Sequence, residues 1–214
     1  MNNPAGPIHW CRMYKVKEIF YTLQGEGHHS GRPAVFCRFT GCNLWSGQER
    51  HRSTAICQFC DTDFVGGDTF NQTSLANKIN DTWKGKGNKF VVFTGGEPAL
   101  QLDENLVKEV KDYGFTTAVE TNGTRPLPSN IDWITVSPKA RTQSIITQGN
   151  EVKVVYPQTG IDPKDFQLMD FEHFYIQPMD GFMRSNNTSK AIEYCLKNTL
   201  WKLSTQVHKR VGIR

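Results

Sequence analysis

The run Phe90-Val91-Val92-Phe93-Thr94-Gly95-Gly96-Glu97-Pro98 decides the architecture. Its first four residues are apolar without alternation, as in a strand buried on both faces of a helix-covered parallel sheet. Paired glycines and a glutamate follow at once. Such a junction exposes backbone N–H and C=O groups at the C-terminal end of the strand, where parallel α/β folds gather their sites. Glu97 adds an acceptor suited to an amine. A structural turn is the simpler reading of the same residues.

The pattern recurs downstream. Phe115-Thr116-Thr117-Ala118-Val119 runs into Glu120-Thr121-Asn122-Gly123, and Asp132-Trp133-Ile134-Thr135-Val136 runs into Ser137-Pro138-Lys139. Glu151-Val152-Lys153-Val154-Val155 is another strand, and Phe174-Tyr175-Ile176 ends in Gln177-Pro178-Met179-Asp180. Polar clusters after several successive strands read as one shared rim. Three helices are predicted. One is capped by Ser74, carries Leu75, Ile79 and Trp83, and stops at Gly85 and Gly87. A second over 103–113 turns Leu106, Val107 and Val110 inward and stops at Gly114; a third over 188–198 buries Ala191, Ile192, Cys195 and Leu196. A last strand over 200–207 delivers His208 to the rim, as an acid, base or substrate contact or as an ordinary exposed histidine.

Upstream, residues 14–23 alternate Tyr14, Val16, Glu18, Phe20 and Thr22 against Lys17, Ile19, Tyr21 and Leu23. They end in Gln24-Gly25-Glu26-Gly27, where glycine permits close approach of backbone to a ligand. In the strand predicted over 34–40, Val35, Cys37 and Phe39 share one face, and Phe36 and Arg38 the other. An arginine there needs a carboxylate, from the protein or from a substrate. Some connections are too short or too polar for a full helix, so the expected fold class is α/β, a partial, splayed TIM-like barrel.

The cysteines add chemistry. Cys42 and Cys57 are separated by fourteen residues, and Cys57 and Cys60 by two. The polar stretch at 43–56 allows Cys42 to return to the Cys57–Cys60 turn. Three thiolates suit zinc or an iron-sulfur cluster and leave one position of a four-coordinate site open. Adding Cys37 would instead close a four-cysteine zinc ribbon; alternation makes Cys37 a buried apolar residue. Spacing alone leaves both metal readings standing.

Composition narrows the setting. The 214 residues carry 25 Lys and Arg against 21 Asp and Glu, with the signs interspersed, which suits an anionic small substrate and does not call for nucleic acid. No apolar run approaches the roughly 18 residues of a membrane span, and no secretory leader opens the chain, so a cytoplasmic protein with reduced cysteines is expected. Residues 1–13 read as a flexible extension containing Cys11, residues 14–214 as one domain with an insertion at 43–56, and Met13 as an alternative start.

Taken together, the cysteines, the Gly-Gly-Glu junction and the strand-end clusters resemble the radical S-adenosylmethionine (SAM) superfamily. Its usual CxxxCxxC signature is expanded here to CX14CX2C, as in a subgroup of the 7-carboxy-7-deazaguanine synthases. Further matches are Glu18-Ile19-Phe20-Tyr21-Thr22-Leu23-Gln24-Gly25-Glu26-Gly27, Cys37-Arg38-Phe39, Gly41-Cys42-Asn43-Leu44-Trp45, Phe59-Cys60-Asp61-Thr62-Asp63 and His208-Lys209. The resemblance implies a lyase of queuosine and 7-deazapurine biosynthesis, feeding tRNA modification, that converts 6-carboxy-5,6,7,8-tetrahydropterin to 7-carboxy-7-deazaguanine with loss of ammonia. It implies a [4Fe-4S] cluster on Cys42, Cys57 and Cys60, and Mg2+ at Thr62. SAM is expected at Phe59, Cys60, Asp61, Gly95, Gly96, Glu97, Ser137, Pro138, Lys139, Gln177, Pro178, Met179 and Asp180. The pterin is expected at Leu23, Gln24, Gly25, Glu26, Arg38, Thr94, His208 and Arg214. No catalytic side chain is assigned, because the radical would arise from cluster and SAM. A homodimer and an electron donor such as a flavodoxin are implied, with neither nucleic acid nor membrane as partner. A glycyl-radical activase is the rival within the superfamily, and a zinc-stabilised nucleic-acid module the rival outside it.

Overall fold

The structure is a computed structural model and describes residues 12–214. Residues 1–11 of the expected extension, Cys11 included, lie outside the described residues, whereas Met13 already belongs to the first strand. The strands are β1 (Met13–Leu23), β2 (Pro33–Phe39), β3 (Asp68–Asn71), β4 (Lys89–Gly95), β5 (Phe115–Thr121), β6 (Trp133–Val136), β7 (Gln148–Tyr156), β8 (Asp170–Pro178) and β9 (Lys202–Leu203). The helices are α1 (Gln72–Thr82), α2 (Glu104–Asp112), α3 (Arg184–Lys197) and α4 (Val207–Val211). All nine strands form one sheet in the order β3-β1-β2-β4-β5-β6-β7-β8-β9, open at both edges. From β2 onward neighbours are parallel, while β1 runs antiparallel to β2 and β3. The sheet is thus a splayed, unclosed barrel, as expected, with an antiparallel margin that the reading of residues 14–23 did not foresee.

Strand β4 has apolar neighbours on both faces. Val91 and Phe93 pack with Val35, Cys37 and Phe39 against Leu75, Ile79, Leu106, Val107 and Val110 of α1 and α2. Phe90 and Val92 lie on the opposite side with Ala34 and Ala118. A second core joins Val152, Val154 and Ile176 to Ala191 and Trp201.

Simple alternation fails in β1. A shift of register between Val16 and Glu18 marks a bulge. Tyr14 and Val16 therefore share the helix-covered core with Ile19 and Tyr21, and Glu18, Phe20 and Thr22 are left for the concave side. Helix α1 is capped by Asn71, whose Oδ1 accepts from the Ser74 N–H at 2.8 Å, and not by Ser74. It ends at Thr82, before the two glycines. Helix α2 keeps its predicted stop at Gly114, where φ is 83°, and the residue that began the predicted span, Asp103, is its cap, accepting from the Leu106 N–H at 3.0 Å. Helix α3 begins at Arg184 and covers only the margin of the sheet beside β8 and β9, so Ala191 is buried but Ile192 and Leu196 are exposed. The last strand shrinks to Lys202–Leu203, and His208 sits on α4 instead of a strand end. Among the described residues no helix is long and apolar enough to cross a membrane.

Phe93 is fully buried between β2 and the helices. Phe93→Ala is expected to cost about 3–5 kcal/mol, read as a lower midpoint in urea unfolding with little change in slope.

Candidate active site

The concave side of the sheet encloses a cavity of about 570 Å³. This is an ordinary size for a small-molecule site. Its residues come from the strand register. Where Cys37 and Phe93 turn outward to the core, their neighbours Arg38 and Thr94, themselves paired across β2 and β4, turn inward. Glu120 of β5, Lys153 and Val155 of β7 and Gln177 of β8 add to the same surface.

The Gly-Gly-Glu junction builds the upper wall. Gly95 has φ 134°, and a Cβ there would collide with the backbone of Phe39. A Cβ on Gly96 would strike the Gly41 carbonyl and lie 2.9 Å from Cys42 Cβ. The two glycines therefore let β4 fit closely against the turn that carries Cys42. Glu97 has another task. Its carboxylate is fully buried outside the cavity lining, and it accepts from Thr121 Oγ1 at 2.7 Å, Asn122 N–H at 2.7 Å and Ala99 N–H at 2.9 Å. Burial pushes its carboxyl above the ordinary range, against the pull of those hydrogen bonds.

Cys42, Cys57 and Cys60 all open onto this cavity. Burial raises the thiols of Cys42 and Cys60, and each is raised further by the neighbouring thiolates. Cys37 does not join them. It lies fully buried in the outer core, where burial alone pushes its thiol far up, so the four-cysteine ribbon does not form. The 43–56 stretch is less polar than its composition suggested: Leu44 and Trp45 are buried, with Trp45 edge-on to Phe64 at 5.5 Å, and Glu49–Thr54 is a 3-10 helix.

The cavity floor carries paired charge. Lys153 Nζ lies 2.5 Å from Glu26 Oε2 and 3.8 Å from Glu120 Oε1, with its side chain 4% exposed. Gln206 donates to Glu26 Oε1 at 2.9 Å, and Gln24 donates to Glu120 Oε1 at 2.9 Å. Burial alone would raise the Glu26 carboxyl, but the Lys153 ammonium and these hydrogen bonds outweigh it and hold the group at about 2. The opposite wall holds Arg38, whose Nε meets Glu18 Oε1 at 2.9 Å; Arg214 pairs with the other oxygen of the same glutamate. Thr22 Oγ1 also donates to the Arg214 carbonyl at 2.9 Å.

The C-terminal segment closes the open side. Val207 N–H donates to the Gly25 carbonyl at 2.9 Å, and a Cβ on Gly25 would strike the His208 ring, so that glycine makes room for the histidine. Lys209 Nζ bridges Asp61 at 2.5 Å and Asp180 at 2.6 Å.

No family model matches the chain. Full-length relatives do. A 7-carboxy-7-deazaguanine synthase of Bordetella pertussis is 52% identical over 207 residues, covering 94% of this chain and 99% of that protein. One of Burkholderia multivorans is 53% identical over 207 residues with the same coverage. The crystal structure of QueE from Escherichia coli superposes with a TM-score of 0.70 at 26% identity, over 92% of this chain and 95% of that one. The chain belongs to the 7-carboxy-7-deazaguanine synthase family.

Membership in that family of radical SAM enzymes brings an iron-sulfur cluster and SAM, and the donor set agrees with the cluster. Among the described residues no three His, Cys, Asp or Glu side chains converge tightly enough for a single metal ion. Three partly or fully buried thiols around one cavity, with Cys57 disfavouring the ionisation of Cys42 and Cys60, form a set that a cluster of several irons can bridge and charge-compensate. Of the SAM and pterin positions expected for a 7-carboxy-7-deazaguanine synthase, the cavity lining includes all but Glu97, Pro138 and Met179.

Sequence reasoning passed over Lys153, Glu18 and Gln206. Lys153 was open to detection, because a lysine within Val152-Lys153-Val154-Val155 sits on the alternate face of a buried strand and demands an acidic partner. Lys153→Met, which strands Glu26 and Glu120, is expected to destabilise the fold by about 3–5 kcal/mol, read by chemical denaturation at neutral pH. The depressed Glu26 carboxyl adds stability above its unfolded value of 4.5 and loses it as pH falls toward about 2. Glu26→Gln should therefore narrow its stability deficit against the parent as unfolding is measured at successively lower pH across that window.

Proposed function

We propose that Cys42, Cys57 and Cys60 hold a [4Fe-4S] cluster at this cavity, which would also receive SAM and the pterin. The family's reaction converts 6-carboxy-5,6,7,8-tetrahydropterin to 7-carboxy-7-deazaguanine with loss of ammonia, in queuosine biosynthesis. The observation that carries the assignment of sites is the meeting of three thiols, from the two limbs of the connection between β2 and β3, at the cavity that the parallel strand ends also line. When bound, the cluster and SAM supply one-electron chemistry that removes hydrogen from the substrate.

The chain's own residues orient and enclose. Gly95 and Gly96 present backbone to the SAM amino acid, and the backbone of Phe59, Cys60 and Asp61 borders it. Glu97 acts by holding the strand ends in place, not by contact. Ser137 and Lys139, with Pro138 between them, and Gln177, Pro178 and Asp180, with Met179 among them, would flank the cofactor. Lys139, whose Nζ donates to Ser137 carbonyl at 2.6 Å and Ser137 Oγ at 2.8 Å, is lowered by burial while the nearby Cys57 and Cys60 thiolates favour its charge. Ionised, it would offset the negative charge of a thiolate-bound cluster.

For the substrate, Leu23, Gln24, Gly25, Glu26 and Thr94 receive the ring, with His208 at its edge. Arg38 meets the carboxylate, helped by the Arg214 end of the chain. The Arg38–Glu18 pair holds the guanidinium plane ready and leaves the substrate to compete for its remaining donors. Thr62 supplies the hydroxyl for Mg2+, which keeps most of its waters. The neighbouring carboxylates are engaged elsewhere, Asp61 by Lys209 and Asp63 by Lys17 at 2.8 Å. Residues 14–214 act as one domain, as a cytoplasmic homodimer fed electrons by a donor such as a flavodoxin. The substrate is a free pterin, and neither nucleic acid nor membrane takes part.

The test is anaerobic loading with iron and sulfide, followed by SAM, dithionite, Mg2+ and the carboxytetrahydropterin. 7-Carboxy-7-deazaguanine is expected from the parent chain, and Cys57→Ala should lower its formation to background. SAM cleavage without this product would leave the cofactor assignment in place and overturn the substrate assignment.

A further inference from the structure

The fourteen residues between Cys42 and Cys57 place one side chain where no cluster-binding role has been assigned. Arg52 reaches from the 3-10 helix Glu49–Thr54 back to the cysteine turn, and its Nη1 donates to the carbonyls of Gln58 and Cys60, each at 3.0 Å. Its Nε donates to both carboxylate oxygens of Glu49, at 2.7 and 2.8 Å. The guanidinium lies over the Trp45 ring, 4.1 Å from its centroid. Trp45 is itself buried against Phe64. One planar group therefore touches both limbs of the loop: the Trp45 side that follows Cys42 and the Gln58–Cys60 side that carries the other two thiols.

The rest of the loop leaves this job to few other contacts. Ile56 and Cys57 N–H donate to the Leu44 carbonyl at 3.1 and 3.2 Å, and Gln58 Nε2 donates to the Ser53 carbonyl at 2.8 Å. Those bonds fix the entry to the turn. Among the described residues Arg52 is the side chain whose hydrogen bonds reach the carbonyl of Cys60 itself. A loop of this length costs entropy to close, and the three thiols must be held in place before iron arrives.

We propose that Arg52 is the positioning residue of the cluster loop: it pins the Cys57–Cys60 turn to Trp45 and so preorganises the three thiols and retains the cluster. A flat group with several fixed donors and a stacking face can hold two carbonyls, a carboxylate and an indole at once, which an ammonium cannot. Outer contacts of this kind govern how well a metal centre is kept. The inference rests on the cluster assignment above, and its test separates the two.

The experiment compares the parent chain with Arg52→Met, Arg52→Lys and Glu49→Gln after anaerobic iron-sulfide loading. Cluster loss to an excess of chelator is followed by visible absorbance, and amide hydrogen exchange of residues 57–61 is measured in the metal-free chains. Arg52→Met is expected to lose its cluster at least tenfold faster than the parent and to exchange faster at 57–61, with unchanged exchange in β4 and β5. Arg52→Lys should recover only part of the retention. Glu49→Gln keeps the guanidinium on both carbonyls and the indole and should fall between Arg52→Met and the parent, so it carries the test if Arg52→Met does not fold. Equal chelator half-lives and equal exchange in parent, Arg52→Met and Glu49→Gln would overturn the positioning role. A parent chain that takes up no iron-sulfur cluster would overturn the cluster assignment, and the role of Arg52 with it.

Discussion

A single buried carboxylate holds the strand ends together. Glu97 spends its oxygens on Thr121, Asn122 and Ala99, while its own N–H donates to the Gly41 carbonyl at 2.9 Å. It thereby ties the ends of β4 and β5 to the turn that follows β2. Gly95 and Gly96 let that turn approach, and Cys42 is the next residue along it. The placement of the first thiol depends on this junction. A carboxylate with no exposure is tolerated only where its acceptors are filled, and removing it would free three donors at the point where the site begins.

Charge pairing is the second constraint. The concave face of an open barrel must present polar groups to a ligand while the convex face packs against helices, and strand alternation makes both possible in one sequence. Lys153 with Glu26 and Glu120, Arg38 and Arg214 with Glu18, and Lys209 with Asp61 and Asp180 each join separate elements around the cavity. These pairs close the open side without a complete ring of strands.

Much of this was legible in the chain. The apolar run at Phe90 marked a strand covered on both faces, and the polar clusters at successive strand ends marked the rim that most of the expected ligand positions now share. Other features are set by contacts distant in sequence. The bulge after Val16 exchanges the faces of β1, so Glu18 turns toward Arg38 against the simple period. Asn71 takes the cap of α1 from Ser74 because the chain enters the helix three residues earlier. Ile192 and Leu196 looked like core residues, yet α3 lies beside the last strands of the sheet and has too little surface there to bury them. The loop at 43–56 read as polar filler. Trp45 and Arg52 instead give it a packed structure, by a stacking contact that composition does not announce. For Glu97 the motif identified the place, and only the hydrogen bonds revealed a side chain turned away from the cavity.

The central claim is that the β4 junction and the cysteine loop together seat three thiols for a cluster with one iron left open to SAM. Mössbauer and electron paramagnetic resonance spectra of the anaerobically loaded chain test this most directly. The account predicts one [4Fe-4S] cluster per chain, whose reduced spectrum changes when SAM is added and which Cys42→Ala does not form. A colourless, zinc-loaded protein, or a cluster indifferent to SAM, would contradict it.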